Sequence, residues 1–169
     1  MVVACLAVAC RKPAPPPPLN HAAVPLDVRL ADTLDSIEGF RGAVLAVYTR
    51  AQHAELRALG EKMTEEHFAR TVDIARWRRI HFGHIPPTEP LPTTCTDDVL
   101  FGKSLPMNPS DADIIDATLL QSQCEVLFAG TILQQSKDPE LVGIARAVIA
   151  STGPEVTTLL KWKAEWSKR

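Results

Sequence analysis

The sequence predicts an all-α protein, a four-helix bundle built from two helical hairpins that a proline-rich crossover joins. Long stretches carry apolar residues every three or four positions, while aromatic residues make up only 5% and the Val and Ile residues do not alternate with polar ones. Most of the 14 prolines cluster in Pro13–Pro18, Pro86–Pro92 and Pro106–Pro109. Two proline-poor blocks remain, residues 31–83 and 110–169, and each has room for a helical hairpin.

The overall composition is that of one soluble folded unit. The chain has 169 residues, 46% of them apolar and 22% charged, with a formal net charge of -2. A nucleic-acid-binding surface normally requires a basic excess, which this composition lacks. We therefore expect no nucleic-acid partner.

The first block predicts two helices. Ala31–Gln52 has apolar residues at helical spacing, and Asp32 or Thr33 is suited to cap its start. Ala54–Phe82 shows the most regular spacing in the chain, and Gly83 followed by two prolines should end it. Hairpin 1 is therefore predicted over residues 31–83.

The second block predicts another helical pair over residues 110–169. Ser110 is a suitable N-cap, with Asp113 in place of the usual Glu of a capping box. Asp138 and Pro139 should end the turn between the helices and start the last one. Pro154 lies inside that last helix and is expected to bend it.

The N-terminal segment predicts export. Residues 1–10 are apolar and end in Ala-Val-Ala-Cys, which resembles a bacterial lipobox with Ala7 in place of the usual Leu and lipid attached to Cys10. Residues 11–30 form a proline-rich tether, since consecutive prolines favour extended polyproline II. We expect a bacterial envelope protein, periplasmic or anchored to the membrane through Cys10. A buried N-terminal helix or strand is the alternative.

Two further cysteines allow a disulfide. Cys95 lies in the crossover, residues 84–109, and Cys124 lies in hairpin 2. They are able to pair in an oxidising compartment, but sequence position alone does not establish the geometry. The alternative is two unpaired thiols, one exposed and one buried.

The two hairpins show signs of an internal repeat. Glu55 and Trp77 in hairpin 1 correspond to Glu140 and Trp162 in hairpin 2, at an offset of 85 residues in both cases. Apolar positions between them also agree, although two unrelated amphipathic helices would agree in part. The pattern predicts two degenerate tandem copies of one hairpin.

Hairpin 2 resembles the domain of unknown function family 305, a ferritin-like helical group of exported bacterial proteins. The resemblance rests on Ile115–Ala129, the turn Lys137–Leu141, the segment Ala145–Ala150, Glu155 and Trp162. Hairpin 1 matches more loosely. The resemblance implies a helical bundle, export and a family history of metal binding.

The chain departs from this family at the positions that matter for metals. The family's paired histidines, its presumed metal ligands, correspond to Gln121-Ser122 in hairpin 2 and to Gly39-Phe40 in hairpin 1. The family's helical glutamate is kept as Glu155 but corresponds to Arg70 in hairpin 1, and His67 replaces a glutamine. The primary hypothesis is therefore a non-catalytic envelope protein with a structural or partner-binding role and no cofactor.

Two candidate sites follow from polar residues on apolar helix faces. If the copies pack about a pseudo-twofold axis, Arg70 and Glu155 should form a buried ion pair, because burying either charge alone is costly. The alternative is that both side chains are exposed at the edge of the bundle.

The second candidate is a metal site for copper or iron. The suitable donors are His67 and nearby carboxylates. The carboxylates are first Glu66 and Glu155, and also Glu38 or Glu125. The alternative is a histidine at the bundle edge. The chain shows no phosphate-binding loop and no nucleophile elbow, so no catalytic residue is predicted and we expect no enzyme activity.

Overall fold

The computed structural model describes residues 24–93, 95 and 105–166. Within these residues the regular secondary structure is entirely helical, which confirms the all-α prediction. The predicted signal segment, Cys10 and most of the proline-rich tether lie outside the described residues. The helices are α1 (Leu26–Leu45), a short 3-10 helix (Tyr48–Arg50), α2 (Ala54–Phe82), α3 (Asp111–Gln135) and α4 (Pro139–Trp166).

The four helices enclose two apolar clusters at opposite ends of the bundle. The first cluster joins the N-terminal halves of α1 and α4 to the C-terminal halves of α2 and α3. The second joins the C-terminal ends of α1 and α4 to the N-terminal halves of α2 and α3. The largest side chains of the first cluster that are fully buried are Trp77, Leu30, Leu34, Ile37, Ile74, Ile132 and Leu141. Those of the second are Leu56, Met63, Ile114 and Ile115.

These clusters define the topology as up, down, down, up. The main helix contacts are between α1 and α2, α1 and α3, α2 and α4, and α3 and α4, and every one of these neighbouring pairs is antiparallel. The chain therefore returns along the length of the bundle between α2 and α3, as in ferritin-like bundles with one long crossover. The predicted architecture, two hairpins and a proline-rich crossover, is confirmed.

The boundary of α1 differs from the prediction. The helix begins at Leu26, inside the segment assigned to the tether, because Val28 and Leu30 are fully buried and Leu30 belongs to the first apolar cluster. Asp32 and Thr33 are consequently inside the helix and do not cap it. The helix ends at Leu45, and the 3-10 helix carries the chain into α2.

The predicted caps of hairpin 2 are present. Ser110 and Asp113 form a complete capping box at the start of α3. Asp138 Oδ1 accepts hydrogen bonds from two backbone amides in the first turn of α4 and a third from the buried Trp77 indole. The turn between α3 and α4 is thereby attached to α2. Helix α4 continues through Pro154 to Trp166.

Hydrogen bonds and a disulfide hold the crossover against the bundle. Asp32 on α1 accepts hydrogen bonds from Arg78 Nε at 2.7 Å and from the backbone and hydroxyl of Thr88 at 2.8 and 2.9 Å. Further along, a disulfide joins Cys95 to Cys124 on α3, with their Cα atoms 5.6 Å apart. Of the two alternatives that the sequence allowed, a disulfide or two unpaired thiols, the structure has the disulfide. None of the described helices is long and apolar enough to cross a lipid bilayer.

Gly60 of α2 lies in close contact with the side chain of Tyr48. Tyr48 is 2% exposed, its hydroxyl lies 2.7 Å from Thr118 Oγ1, and its ring lies directly over Gly60 of α2. A Cβ at position 60 would overlap Tyr48, so Gly60→Ala should destabilise the fold by about 1–3 kcal/mol. The matched change Gly143→Ala adds a Cβ that meets nothing within 4 Å, and it should be neutral or stabilising. Urea unfolding of both variants measures the difference, and equal stabilities would contradict the prediction.

Candidate functional site

A layer of polar and charged side chains separates the two apolar clusters, and all four helices contribute to it. We call this the ionic layer. Glu38 and Glu125 in it are fully buried, with 0% exposure. Its members are Glu38, Arg41, Glu66, His67, Arg70, Gln121, Ser122, Glu125, Thr152 and Glu155.

Arg41 forms the centre of this layer. Its Nη1 atom donates to Glu125 Oε2 at 2.8 Å, and its Nη2 atom donates to Glu155 Oε2 at 2.5 Å. The side chain is 1% exposed. Burial disfavours the charged guanidinium, but Glu125 and Glu155 outweigh that effect and raise the pKa of Arg41. Arg41 is therefore a permanent buried cation that ties α1 to α3 and α4.

A second ion pair joins Arg70 on α2 to Glu38 on α1. Arg70 Nε donates to Glu38 Oε1 at 2.9 Å, and Nη1 donates to Ser151 Oγ at 3.1 Å. His67 Nδ1 lies 2.8 Å from the other carboxylate oxygen of Glu38. Burial would raise the pKa of Glu38, but the His67 hydrogen bond and the charge of Arg70 together lower it. Glu38 is thus held as a carboxylate.

The predicted ion pair between Arg70 and Glu155 is wrong in its partners. Both residues are buried in the ionic layer, at 6% and 2% exposure, and neither lies exposed at the bundle edge. Arg70 binds Glu38, its neighbour across the hairpin 1 interface, and Glu155 binds Arg41. The reason is the long reach of Arg41 across the bundle from α1 to α4, which leaves Arg70 to the carboxylate of its own hairpin.

The ionic layer contains more carboxyl groups than cations to match them. Glu125 Oε1, Glu155 Oε1 and Glu66 Oε2 are buried and accept no hydrogen bond from a donor group in the described residues. Burial raises the pKa of Glu155 against the opposing charge of Arg41, and the adjacent Glu66 carboxyl raises it further. Two carboxyl groups in contact hold a proton between them more readily than two charges. Burial also raises the pKa of Glu125 to about 7, although Arg41 opposes the shift.

The raised pKa of Glu125 predicts how stability depends on pH. A carboxyl whose pKa rises on folding, here from 4.5 to about 7, adds stability that is complete below 4.5 and lost as the pH rises through 7. Glu125→Gln keeps the shape and removes the titration. The variant should therefore gain on the order of 2–3 kcal/mol relative to the native protein between about pH 5 and pH 8.

Urea unfolding across this pH range measures that gain. Both proteins should lose stability together under more acidic conditions, because the pKa of Glu38 is lowered and protonating it breaks its pair with Arg70. A constant difference between the two proteins over the whole range would contradict the assignment of the proton to Glu125.

The predicted metal ligands do not come together as a metal site. Glu66 and Glu155 are adjacent, but His67 is hydrogen-bonded to Glu38, and Arg41 holds Glu155. No group of three or more His, Cys, Asp or Glu side chains in the described parts of the chain is arranged to hold a metal ion. Arg41 lies between Glu125 and Glu155, and Arg70 binds Glu38, so three of the carboxylates near His67 are paired with guanidinium groups in this structure.

Comparison with known proteins shows a similarity of fold alone. No protein family and no curated protein sequence matches the chain. Among solved structures, it is similar to CopM in the Cu(I)-bound form, with a TM-score of 0.66, 16% identity and coverage of 85% of this chain and 99% of that chain. It is also similar to CopM in the Cu(II)-bound form, with a TM-score of 0.60, 16% identity and coverage of 83% and 93%. At this identity the likeness shows that the chain shares a four-helix fold with CopM.

Proposed function

We propose that this protein is a non-catalytic, exported helical-bundle protein of the bacterial cell envelope with a structural or partner-binding role. The observation that supports this proposal is the ionic layer. Arg41 and Arg70 supply the positive charge at the centre of the bundle, where a ferritin-like protein would hold metal. Glu38, Glu125 and Glu155 thereby bind guanidinium groups of the chain itself instead of a metal ion.

Export is part of the same proposal. The disulfide between Cys95 and Cys124 suits an oxidising compartment, and disulfides are rare in the bacterial cytosol. The sequence before the folded domain supplies a lipidation signal at Cys10 and a tether. The protein would then stand at the membrane surface on a lipid anchor.

The resemblance to the domain of unknown function family 305 belongs to this proposal as well. We infer two degenerate tandem copies of one hairpin, of which neither keeps the paired histidines. Arg41 and Arg70, which both belong to hairpin 1, then take over the electrostatic role of a lost cation.

A second candidate is a copper- or iron-binding protein that uses His67 with Glu66 and Glu155. The observation that favours it is the likeness to CopM, whose two similar structures carry Cu(I) and Cu(II). Binding would require His67 to exchange its hydrogen bond with Glu38 for a metal.

Elemental analysis separates the two candidates. Protein purified without a histidine tag should contain no stoichiometric copper, iron or zinc, and added Cu(I), Cu(II) or Fe(II) should leave its melting temperature unchanged. Stoichiometric copper or iron that disappears in His67→Ala, but not in the exposed control His84→Ala, would overturn the proposal in favour of the second candidate. Mass spectrometry of the mature N-terminus from membranes should find a diacylated or triacylated Cys10, and an intact Met1 would refute the anchor.

A further inference from the structure

The outer face of α2 carries a stripe of exposed residues, which we call the α2 seam. Successive members are separated by 4, 3, 4, 4 and 3 positions. At 3.6 residues per turn, these spacings keep them within an arc of about 80°. This arc lies opposite the buried residues Met63, Arg70 and Trp77. The members are Glu61, Glu65, Phe68, Val72, Arg76 and Arg79, all of them exposed.

Two apolar side chains lie in the middle of the seam. Phe68 is 69% exposed and Val72 is 46% exposed. Large apolar groups scattered singly on a surface require no explanation, but these two are neighbours one turn apart. They form a short apolar contact surface on an otherwise charged face.

The charges on either side of this contact surface have opposite signs. Glu61 and Glu65 precede it, and Arg76 and Arg79 follow it. The order is nearly symmetric about position 70. Phe68 and Val72 lie two residues from it, Glu65 and Arg76 five and six, and Glu61 and Arg79 nine. The seam is therefore complementary to itself when it is read in the opposite direction.

Most of these charges have no partner among the residues that the structure describes. Arg76 makes an exposed ion pair with Asp73 at 2.9 Å. Within the described residues, the side chains of Glu61, Glu65 and Arg79 make no hydrogen bond or ion pair. The ion pairs of α2 involve other residues. These side chains are available to a partner.

We propose that a second copy of this chain docks on the α2 seam in antiparallel orientation, about a twofold axis that passes between the two α2 helices at the axial level of position 70. Phe68 of each copy then packs against Val72 of the other. Glu65 faces Arg76 of the second copy, and Glu61 faces Arg79. A parallel pairing would instead bring like charges together at each position, so the sequence order selects the antiparallel dimer.

The size of the seam sets the strength of this dimer. From position 61 to 79 the helix extends about 27 Å at 1.5 Å per residue. A single helix face of this length buries less than the roughly 800 Å² per partner of a stable interface. We therefore expect a weak dimer that forms with increasing protein concentration and loosens with salt, because its ion pairs lie at the exposed rim.

Sedimentation velocity over a wide range of protein concentrations tests the dimer. The native protein should shift from monomer to dimer, and Phe68→Asp should weaken the association at least about tenfold. Leu160→Asp is the matched control, because Leu160 is 52% exposed on α4, away from the seam, and the dimer should persist. Circular dichroism should show that both variants keep the helical fold.

A charge exchange tests the antiparallel pairing itself. Glu61→Lys combined with Glu65→Lys gives an all-basic seam, and Arg76→Glu combined with Arg79→Glu gives an all-acidic one. Each variant alone should stay monomeric, and an equal mixture should form a heterodimer. The variant with all four changes should recover the homodimer. A native protein that remains monomeric up to millimolar concentration, a dimer that survives Phe68→Asp, or a mixture that stays monomeric would each overturn the proposal.

Discussion

Replacing Arg41 by Met should destabilise the fold by about 3–5 kcal/mol at neutral pH, the loss expected when one partner of a buried ion pair is removed. Arg41 is the direct cation partner of both Glu125 and Glu155, and the two carboxyls are at most 2% exposed. Methionine fills a similar volume without charge, so the loss reports the ionic interaction and not a cavity. Urea unfolding of the native and variant proteins measures it.

Two further measurements separate this effect from general damage. The loss should shrink at about pH 5, because Glu125, with its pKa raised to about 7, is then protonated and no longer requires a cation. The pKa of Glu155 is raised in the same direction. Glu125→Gln in the Arg41→Met background should recover part of the stability. Arg146→Met on the exposed face of α4 is the control and should change stability by less than about 0.5 kcal/mol. Equal losses for the two arginine variants would refute the central role of Arg41.

Removal of the disulfide is expected to have the next largest effect. Cys95 and Cys124 are separated by 29 positions, and closing a loop of this length in the unfolded chain corresponds to roughly 3–4 kcal/mol. The variant with Cys95→Ser and Cys124→Ser should lose about that much stability, because the crossover is no longer attached to α3.

Reductant provides the internal control for this prediction. A thiol reductant should lower the melting temperature of the native protein towards that of the double serine variant, and it should leave the variant itself unchanged. Native protein that is insensitive to reductant, and as stable as the variant, would mean that the two cysteines are unpaired in solution.

The sequence predicted the fold well where a signal is local. The bounds of α2 agree with the prediction, since a regular apolar spacing ends at Gly83 and two prolines. The start of α1 was missed because the proline-rich composition before it suggested a tether up to residue 30. Its actual start depends on burial of Val28 and Leu30, which is tertiary information.

The site could be predicted only in part, for a related reason. Helical spacing indicated that Arg70 and Glu155 occupy buried faces, and they do. Spacing does not determine which guanidinium reaches which carboxylate, because that depends on the distances between four helices. Arg41 was the missed residue, although its position in line with the apolar residues Leu34 and Ile37 was the available signal.

The position of the ionic layer between two apolar clusters has a consequence for the alignment of the helices. Sliding any helix along its axis by one turn, about 5.4 Å, would carry a charged side chain into an apolar cluster. It would also leave charges on the other helices without their partners, at several kcal/mol each. The layer therefore fixes the axial position of all four helices relative to one another. Residues of the apolar clusters can then be exchanged for others of similar size without shifting the register of the bundle.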